Sequence, residues 1–204
     1  MRHASPSPAL IRSMWELPRL PITSGPLERA DGQNGSAPPH SDSTLLLVVE
    51  LDDSDPRIWR KIEARGGLTL GQVHELIQAA FGWNGMGQHR FTARDPYEHT
   101  ILADEEVGWP LTWVPAAQIH ESDDRSEEEA TLAELLTAGR GCAFYEYDFD
   151  AARVHRIELV GTAEPSGSPA LLTSGAGCPV TGRFDFQRST TAVQTVASSW
   201  SPSA

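Results

Sequence analysis

The pattern of apolar and polar residues predicts two neighbouring strands where the ordered part of the chain begins. Leu45–Leu51 is a nearly unbroken apolar run of strand length, typical of a strand buried on both faces. After a turn rich in Asp and Pro, Arg57–Ala64 is expected to form a second strand. Because alternate residues of a strand point to opposite faces, one face carries Ile58, Arg60 and Ile62. The other face carries Trp59, Lys61 and Glu63.

A helical period follows the second strand. Thr69 and Gln72 have the spacing of a capping box, in which each side chain bonds the backbone of the other residue. Apolar residues then recur on one helical stripe: Leu70, Val73, Leu76, Ile77, Ala80 and Phe81. Gly82 follows, where a helix commonly ends in a left-handed residue. This pattern predicts the main helix over 70–81.

Later segments predict a shorter helix and a hairpin. Thr131 and Glu134 repeat the capping-box spacing, which predicts a helix over 132–138. The aromatic-rich run 142–149 favours a strand, and 154–160 is expected to pair with it. With a short strand over 88–93, these elements predict an α+β fold. We expect a single small domain whose mostly antiparallel sheet has about four to six strands, with both helices packed on it.

Composition divides the chain into a domain and flanking segments. Residues 1–43 are rich in Pro, Ser and Gly, and are expected to be a disordered tail. The predicted domain spans 44–164, followed by a loop-rich extension over 165–186. The Ser-, Thr- and Ala-rich residues 187–204 are expected to be a second disordered tail.

Charge and cysteine content limit the function classes. A net charge of −12 over 204 residues, without a basic cluster, argues against direct binding of nucleic acid. No apolar run has the length of a membrane span, and no secretory pattern precedes Pro18, so a cytoplasmic protein without membrane contact is expected. Cys142 and Cys178 are far apart in the sequence, and two reduced thiols are expected unless the fold brings them together.

The order of these segments resembles the plasmid pRiA4b ORF-3-like family, whose members are also described as insertion-sequence passenger proteins. The similarity covers about residues 44–162 and rests on several motifs: Pro56–Ile62, Leu68–Leu70, His74–Gln78, Phe81–Trp83, His89, Phe91, Leu132–Leu136, Phe144–Phe149 and His155–Leu159. The resemblance implies a compact α+β domain associated with a bacterial mobile element. It implies no settled biochemical activity.

The chain departs from the family pattern after its aromatic strand. Where the family has Gly-Asp-x-Trp-x-His, this chain has Asp150–His155, and only His155 matches. The family's Cys-Pro-Pro-Glu-Asp segment is reduced here to Cys178-Pro179. These departures predict a divergent member in which a site built from the hairpin turn is altered, or a degenerate passenger without retained activity.

Arg60 invites a functional hypothesis because it shares a face with two core residues. A buried arginine needs a compensating partner, and Glu146 or Asp148 on the aromatic strand would supply a carboxylate. The alternative is an anion-binding arginine in a cleft lined by Trp59, Tyr145 and Tyr147. Both interpretations stay open at the level of the sequence.

No catalytic or phosphate-binding motif appears in the chain, neither GxSxG, P-loop, GxGxxG nor HExxH. We therefore expect a non-enzymatic binding or interaction module for an unknown protein or a small anionic ligand, without a cofactor. The candidate ligand-binding residues are Arg60, Trp59, Tyr145, Tyr147, Asp148, His89 and His155. The alternative is a small, possibly metal-assisted enzyme with its site at His89, Asp148 and His155. A zinc site joining these three to Cys178 is conceivable by residue type, although no metal is expected.

Overall fold

One eight-stranded sheet forms the centre of the protein. The computed structural model describes residues 39–97, 111–120, 123–165, 167–179 and 183–200. Their strands are β1 (Thr44–Leu51), β2 (Ile58–Arg65), β3 (His89–Thr92), β4 (Thr112–Val114), β5 (Asp124–Ser126), β6 (Cys142–Tyr147), β7 (Arg153–Ala163) and β8 (Ala170–Ala176). The helices are α1 (Leu70–Phe81), α2 (Leu132–Ala138) and α3 (Phe186–Ser199). Ala116–Gln118 form a single 3-10 turn.

The strand order is β5-β4-β3-β6-β7-β1-β2-β8, and only the β4–β5 pair is parallel. The predicted α+β class with a mostly antiparallel sheet is confirmed, whereas the expected count of four to six strands is wrong. Strands β4 and β5 have three residues each, too few to show an alternating period. Strand β8 lies at the edge of the sheet and contains Ser174 and Gly175, which are weak strand formers.

The inner face of the sheet, against which α1 packs, holds the hydrophobic core. Opposite residues of antiparallel strands share a face, and Leu47, Ile62 and Ile157 are buried on this one. The capping boxes of α1 and α2 both form as predicted, and Gly82 ends α1 in a left-handed conformation. The helical boundaries 70–81 and 132–138 are therefore confirmed.

The outer face carries polar and half-buried side chains. Leu46 and Val48 are only half-buried, so the expectation that β1 is buried on both faces is wrong. Glu50 and Arg156 lie opposite each other here and form an ion pair, and Glu50 also pairs with Arg57. The predicted alternation in β2 holds, since Trp59 lies on this face and Arg60 on the inner one.

The C-terminal part contributes to the fold instead of trailing from it. The expected loop-rich extension contains β8, and the expected disordered tail contains α3. Helix α3 begins at the N-cap Asp185 and buries Val193 and Ala197 in the common core. Only two of its side chains are buried, so its Ser- and Thr-rich sequence resembles a solvated tail.

At the N-terminal end, the described chain begins with a short turn. Ser41 and Ser43 accept backbone hydrogen bonds from Gly67 and Gly66, so residues 39–43 join the domain. The rest of the expected tail, residues 1–38, lies outside the described residues. No helix within the described ranges is long and apolar enough to cross a membrane.

Candidate functional site

A group of polar side chains lies between α1 and the inner face of the sheet, and we call it the histidine cluster. Its members come from three secondary-structure elements and one loop: His74, Gln78, His89, Glu127 and Tyr145. His74 is half-buried, and the other four are buried. Because buried polar groups need partners, the hydrogen bonds of this cluster determine what it can do chemically.

Hydrogen bonds link Gly85, Gln78, Tyr145 and His74, and each of these groups donates to the next. The backbone N–H of Gly85 donates to Gln78 Oε1 over 2.9 Å, which fixes the orientation of the amide. Gln78 Nε2 then donates to the Tyr145 hydroxyl oxygen over 2.8 Å. The Tyr145 hydroxyl has one proton left to donate, and His74 Nδ1 lies 2.8 Å away. His74 is therefore a neutral acceptor at Nδ1, with its own proton on Nε2.

The second half of the cluster pairs a histidine with a carboxylate. His89 Nε2 lies 2.8 Å from Glu127 Oε2, and both side chains are buried. The rings of His74 and His89 stack with centroids 3.7 Å apart and planes 14° from parallel. Two imidazolium cations at this separation would repel strongly, so the pair does not accept two protons without moving apart.

Burial keeps two members of this cluster, His74 and Tyr145, neutral at ordinary pH. Burial, with a smaller contribution from the neighbouring His89, lowers the pKa of His74 to about 3. Burial also raises the pKa of the Tyr145 hydroxyl well above its usual range. The cluster can thus exchange hydrogen bonds, but Tyr145 offers no phenolate nucleophile.

A second group lies where the end of α1 meets the β6–β7 turn, and we call it the Trp83 corner. It comprises Trp83, Tyr147, Asp148, Arg153 and His155. Trp83 Nε1 donates to His155 Nε2 over 3.1 Å, and His155 Nδ1 lies 3.3 Å from the Tyr145 carbonyl oxygen. Burial lowers the pKa of His155 to about 4. Both nitrogens of this neutral ring are used within the protein, so His155 supports the corner and has no lone pair for a metal.

The accessible part of the corner is an arginine stacked on a tryptophan. The Arg153 guanidinium lies 4.4 Å from the centre of the Trp83 ring, and its Nη1 is 3.1 Å from Asp148 Oδ2. About a third of each of these two charged side chains is exposed (35% and 36%). Below them, the Tyr147 hydroxyl donates to Asn84 Oδ1 over 2.8 Å.

The turn between β6 and β7 carries backbone strain. Asp148 and Ala152 have positive φ angles of 58° and 46°, in the left-handed region that L-residues avoid. Ala152→Gly is expected to raise the free energy of unfolding by about 0.5–1 kcal/mol in urea denaturation, because glycine adopts this conformation without strain. Ala151, whose φ is not positive, gives the matched control: Ala151→Gly should lower the value by a similar amount. A loss of stability in Ala152→Gly would contradict this account.

Arg60 does not form the predicted ion pair. Its Nε donates to the Ala80 carbonyl oxygen over 2.8 Å. Its other bonds also end on backbone carbonyl oxygens, those of Trp59 and Ala176 at 2.8 Å and of Gly177 at 3.1 Å. The guanidinium is stacked between Phe81 and Phe184, at 4.7 and 3.9 Å from the ring centres. The predicted partnership with Glu146 or Asp148 is wrong.

The geometry of the sheet explains this result. Glu146 lies on the outer face, where it is bonded by Arg90 over 2.6 Å and by the Tyr97 hydroxyl. Asp148 is paired with Arg153. A carboxylate on the outer face is out of reach of an arginine on the inner one. Burial lowers the pKa of Arg60 to about 10, so it keeps its charge at neutral pH.

The other candidate residues are also separated by the fold. Trp59 lies on the outer face, opposite to Tyr145 and Tyr147, so the three do not line one cleft with Arg60. His89 and His155 both border the Tyr145 ring, with centroids 5.9 and 5.4 Å from it. Each bonds its own partner, Glu127 or Trp83, and Asp148 bonds a third, Arg153.

Sequence reasoning missed several residues that the fold brings together: His74, Trp83, Glu127 and Arg153. His74 and Gln78 are four residues apart beside the apolar stripe of α1, a spacing that could have indicated a shared polar face. Glu127 gave no such signal, because it lies within an acidic run.

The described part of the chain contains neither a metal-binding cluster nor a disulfide. No group of three or more His, Cys, Asp or Glu side chains there could hold a metal ion. Cys142 and Cys178 are both free and half-buried.

Comparison with known proteins agrees with this fold. A curated relative from Sinorhizobium fredii (strain NBRC 101917 / NGR234), "Uncharacterized protein y4hQ", is 27% identical over 139 residues, which is 67% of this chain and 64% of that protein. The chain thus spans less than two thirds of that relative. A crystal structure of MM3350, a protein of unknown function from Methanosarcina mazei Go1, shares the fold with a TM-score of 0.57 and 21% identity, over 69% of this chain and 74% of that one. The family model of the plasmid pRiA4b ORF-3-like protein matches residues 43–193, and the chain belongs to this family.

Proposed function

We propose that this protein is a binding module whose recognition surface is the Trp83 corner. The observation that carries the proposal is the half-exposed stack of Arg153 on Trp83, held from below by the buried, neutral His155. A surface fixed by buried hydrogen bonds loses little entropy when it binds a ligand. Such pre-organisation favours recognition over a purely structural role.

The chemistry of the corner favours a small anionic group as the ligand. Among the described residues Arg153 is ion-paired with Asp148 through Nη1, and its planar fork can bind a carboxylate or phosphate bidentately. The net charge of −12 repels large polyanions but permits a compact anion at one oriented arginine. Asp148 competes with such a ligand, so binding exchanges one carboxylate for another anion.

Titration with inorganic phosphate and with acetate tests this proposal. The probe is the indole N–H resonance of Trp83 in the full chain at pH 7.5. In the wild-type protein we expect this resonance to shift at millimolar concentrations of the anion. In Arg153→Gln the shift should be absent, and in Asp148→Asn it should occur at a lower anion concentration. Arg125→Gln is the matched control, because Arg125 also lies over a tryptophan, at 6.0 Å from the Trp113 ring centre.

Two outcomes would overturn the anion-binding proposal. One is an unchanged Trp83 resonance in both the wild-type protein and Asp148→Asn. The other is a response that persists in Arg153→Gln, because the anion would then bind elsewhere.

A second candidate function is a small enzyme, and the His89–Glu127 pair favours it. A carboxylate bonded to an imidazole is the arrangement that orients a general base, although His89 is only 6% exposed. In this form of the hypothesis, His89 acts with Glu127 in the histidine cluster, and not with Asp148 and His155 as the sequence predicted. Stoichiometric transition metal in the purified protein would favour the metal-assisted form of this alternative. The association with a mobile element and the cytoplasmic location stay predictions.

A further inference from the structure

The histidine cluster is physically connected to the Trp83 corner. Gln78 bonds the Tyr145 hydroxyl through its amide nitrogen and the Gly85 N–H through its amide oxygen. Gly85 lies in the turn that follows Trp83 and contains Asn84, the partner of Tyr147. One side-chain amide thus ties the buried cluster to an exposed turn.

We propose that His74, stacked on His89, is a proton-operated latch, which holds the turn at Gly85 closed while His74 is neutral and releases it when His74 takes up a proton. The motion belongs to the free protein. Only its consequence, weaker ligand binding at the corner in acid, rests on the proposed function.

The direction of the hydrogen bonds is the first argument for the latch. A proton on His74 Nδ1 turns this atom from an acceptor into a donor. The Tyr145 hydroxyl would then receive donors from both His74 and Gln78, and its own proton would have no acceptor among the described residues. A flip of the Gln78 amide relieves this conflict, because it replaces Nε2 by the acceptor Oε1 beside the Tyr145 hydroxyl proton. The same flip takes Oε1 away from the Gly85 N–H and ends that bond.

The charged and titratable groups around His74 give the second argument. His74 faces His89 on β3 and Tyr145 on β6. Glu127, in the loop before α2, bonds the far ring of the stack, that of His89. On the helix of His74 itself, Glu75 is bonded by the indole of Trp200. The only carboxylate in the cluster, Glu127, is held by His89, so a charged His74 has no direct anionic partner there.

The turn at Gly85 is the part with least resistance to opening. Asn84, Gly85 and Met86 are exposed, Met86 to 85%. Segments with few buried contacts open at lower free energy than the core of a sheet. Release of the Gln78–Gly85 bond therefore frees the Gly85 amide, while the Tyr147 hydroxyl still bonds Asn84 and Gly87 and β1 and β2 stay paired.

Amide exchange measured by NMR on the full chain without ligand tests the latch. Each rate is divided by the intrinsic rate at the same pH, to give a protection factor for Gly85 at pH 7.5 and pH 5.0. We expect this factor to fall about ten- to thirtyfold towards acid, the range set by a His74 pKa of about 3 when closed and 6.5 when open. The amide of Val49, in the middle of the sheet, should keep its protection.

The controls separate the latch from general acid lability. His74→Gln retains an acceptor for the Tyr145 hydroxyl and cannot titrate, so its Gly85 protection should not change with pH. His120→Gln, at an exposed histidine, should behave as the wild type. Equal loss at Gly85 and Val49, or a fall that persists in His74→Gln, would overturn the latch.

A measurement on the wild-type protein keeps the test independent of variant folding. The ring nitrogen spectrum of His74 should show a neutral ring protonated at Nε2 at pH 7.5, and its titration should coincide with the change at Gly85. A proton on Nδ1 at pH 7.5, or a Gly85 change without titration of His74, would overturn the latch. Because no anion is present, failure of phosphate to bind at the corner does not affect either result.

Discussion

Arg60→Met is expected to lower the free energy of unfolding by about 3–5 kcal/mol, measured by urea denaturation with tryptophan fluorescence. Methionine fills a similar volume between Phe81 and Phe184, so the loss comes from hydrogen bonds and not from packing. The Ala80 carbonyl oxygen is one of the last acceptors of α1, and Arg60 is the donor that satisfies it. The carbonyl oxygens of Ala176 and Gly177 would lose the same donor.

Two further variants show what the arginine contributes. Arg57→Met removes a guanidinium that is 53% exposed and paired with Glu50, and it should cost less than about 1 kcal/mol. Arg60→Lys keeps the charge but not the planar fork, and should recover only part of the loss. Wild-type stability in Arg60→Met would mean that the carbonyl oxygens find other donors, and that the arginine does not join α1 to the end of β8.

Tyr145→Phe is expected to cost about 2 kcal/mol, although it removes a single oxygen atom. The Tyr145 ring is fully buried, and its hydroxyl satisfies both His74 Nδ1 and Gln78 Nε2. Without that oxygen, the buried Gln78 amide loses its acceptor and the half-buried His74 Nδ1 loses its donor. The cost of burying an unpaired polar group exceeds the average net contribution of one hydrogen bond to stability.

Tyr147→Phe is the matched control on the same strand. Its hydroxyl donates to the exposed Asn84 and accepts from the half-buried Gly87 N–H over 3.3 Å. Both partners lie in the turn after α1, where water can replace the hydroxyl, so the cost should stay below about 1 kcal/mol. Urea denaturation of the two variants at pH 7.5 measures the difference. Equal losses would show that the hydrogen bonds of the histidine cluster contribute no more than those of the corner.

The elements that sequence reasoning located correctly share one property: their signals are local. The capping boxes at Thr69 and Thr131 involve residues three apart, and the stripe of α1 repeats within two turns. Strands β1, β2, β6 and β7 are long enough to show their composition and period. The elements that were missed, β8 and α3, have weakly strand-forming or polar sequences and gain their order from what they pack against.

The candidate site could be predicted only in part, for the same reason. The sequence indicates that Arg60 shares a face with Ile58 and Ile62, and this is confirmed. Its partner could not be inferred, because that depends on which face of β6 is turned towards α1. A backbone carbonyl oxygen is available at every residue, so no side-chain pattern identifies it as the acceptor.

By itself the sequence determined the α+β class, both capped helices, the β6–β7 hairpin and the family, since these depend on residue order and short spacings. Only the tertiary structure decided which polar groups meet. It stacks His74 of α1 on His89 of β3, and places Arg153 over Trp83, seventy residues apart in the chain. Contacts of this kind depend on strand order and register. The alternating pattern of a strand indicates which side chains share a face, but it does not identify the neighbouring strand or the residue opposite.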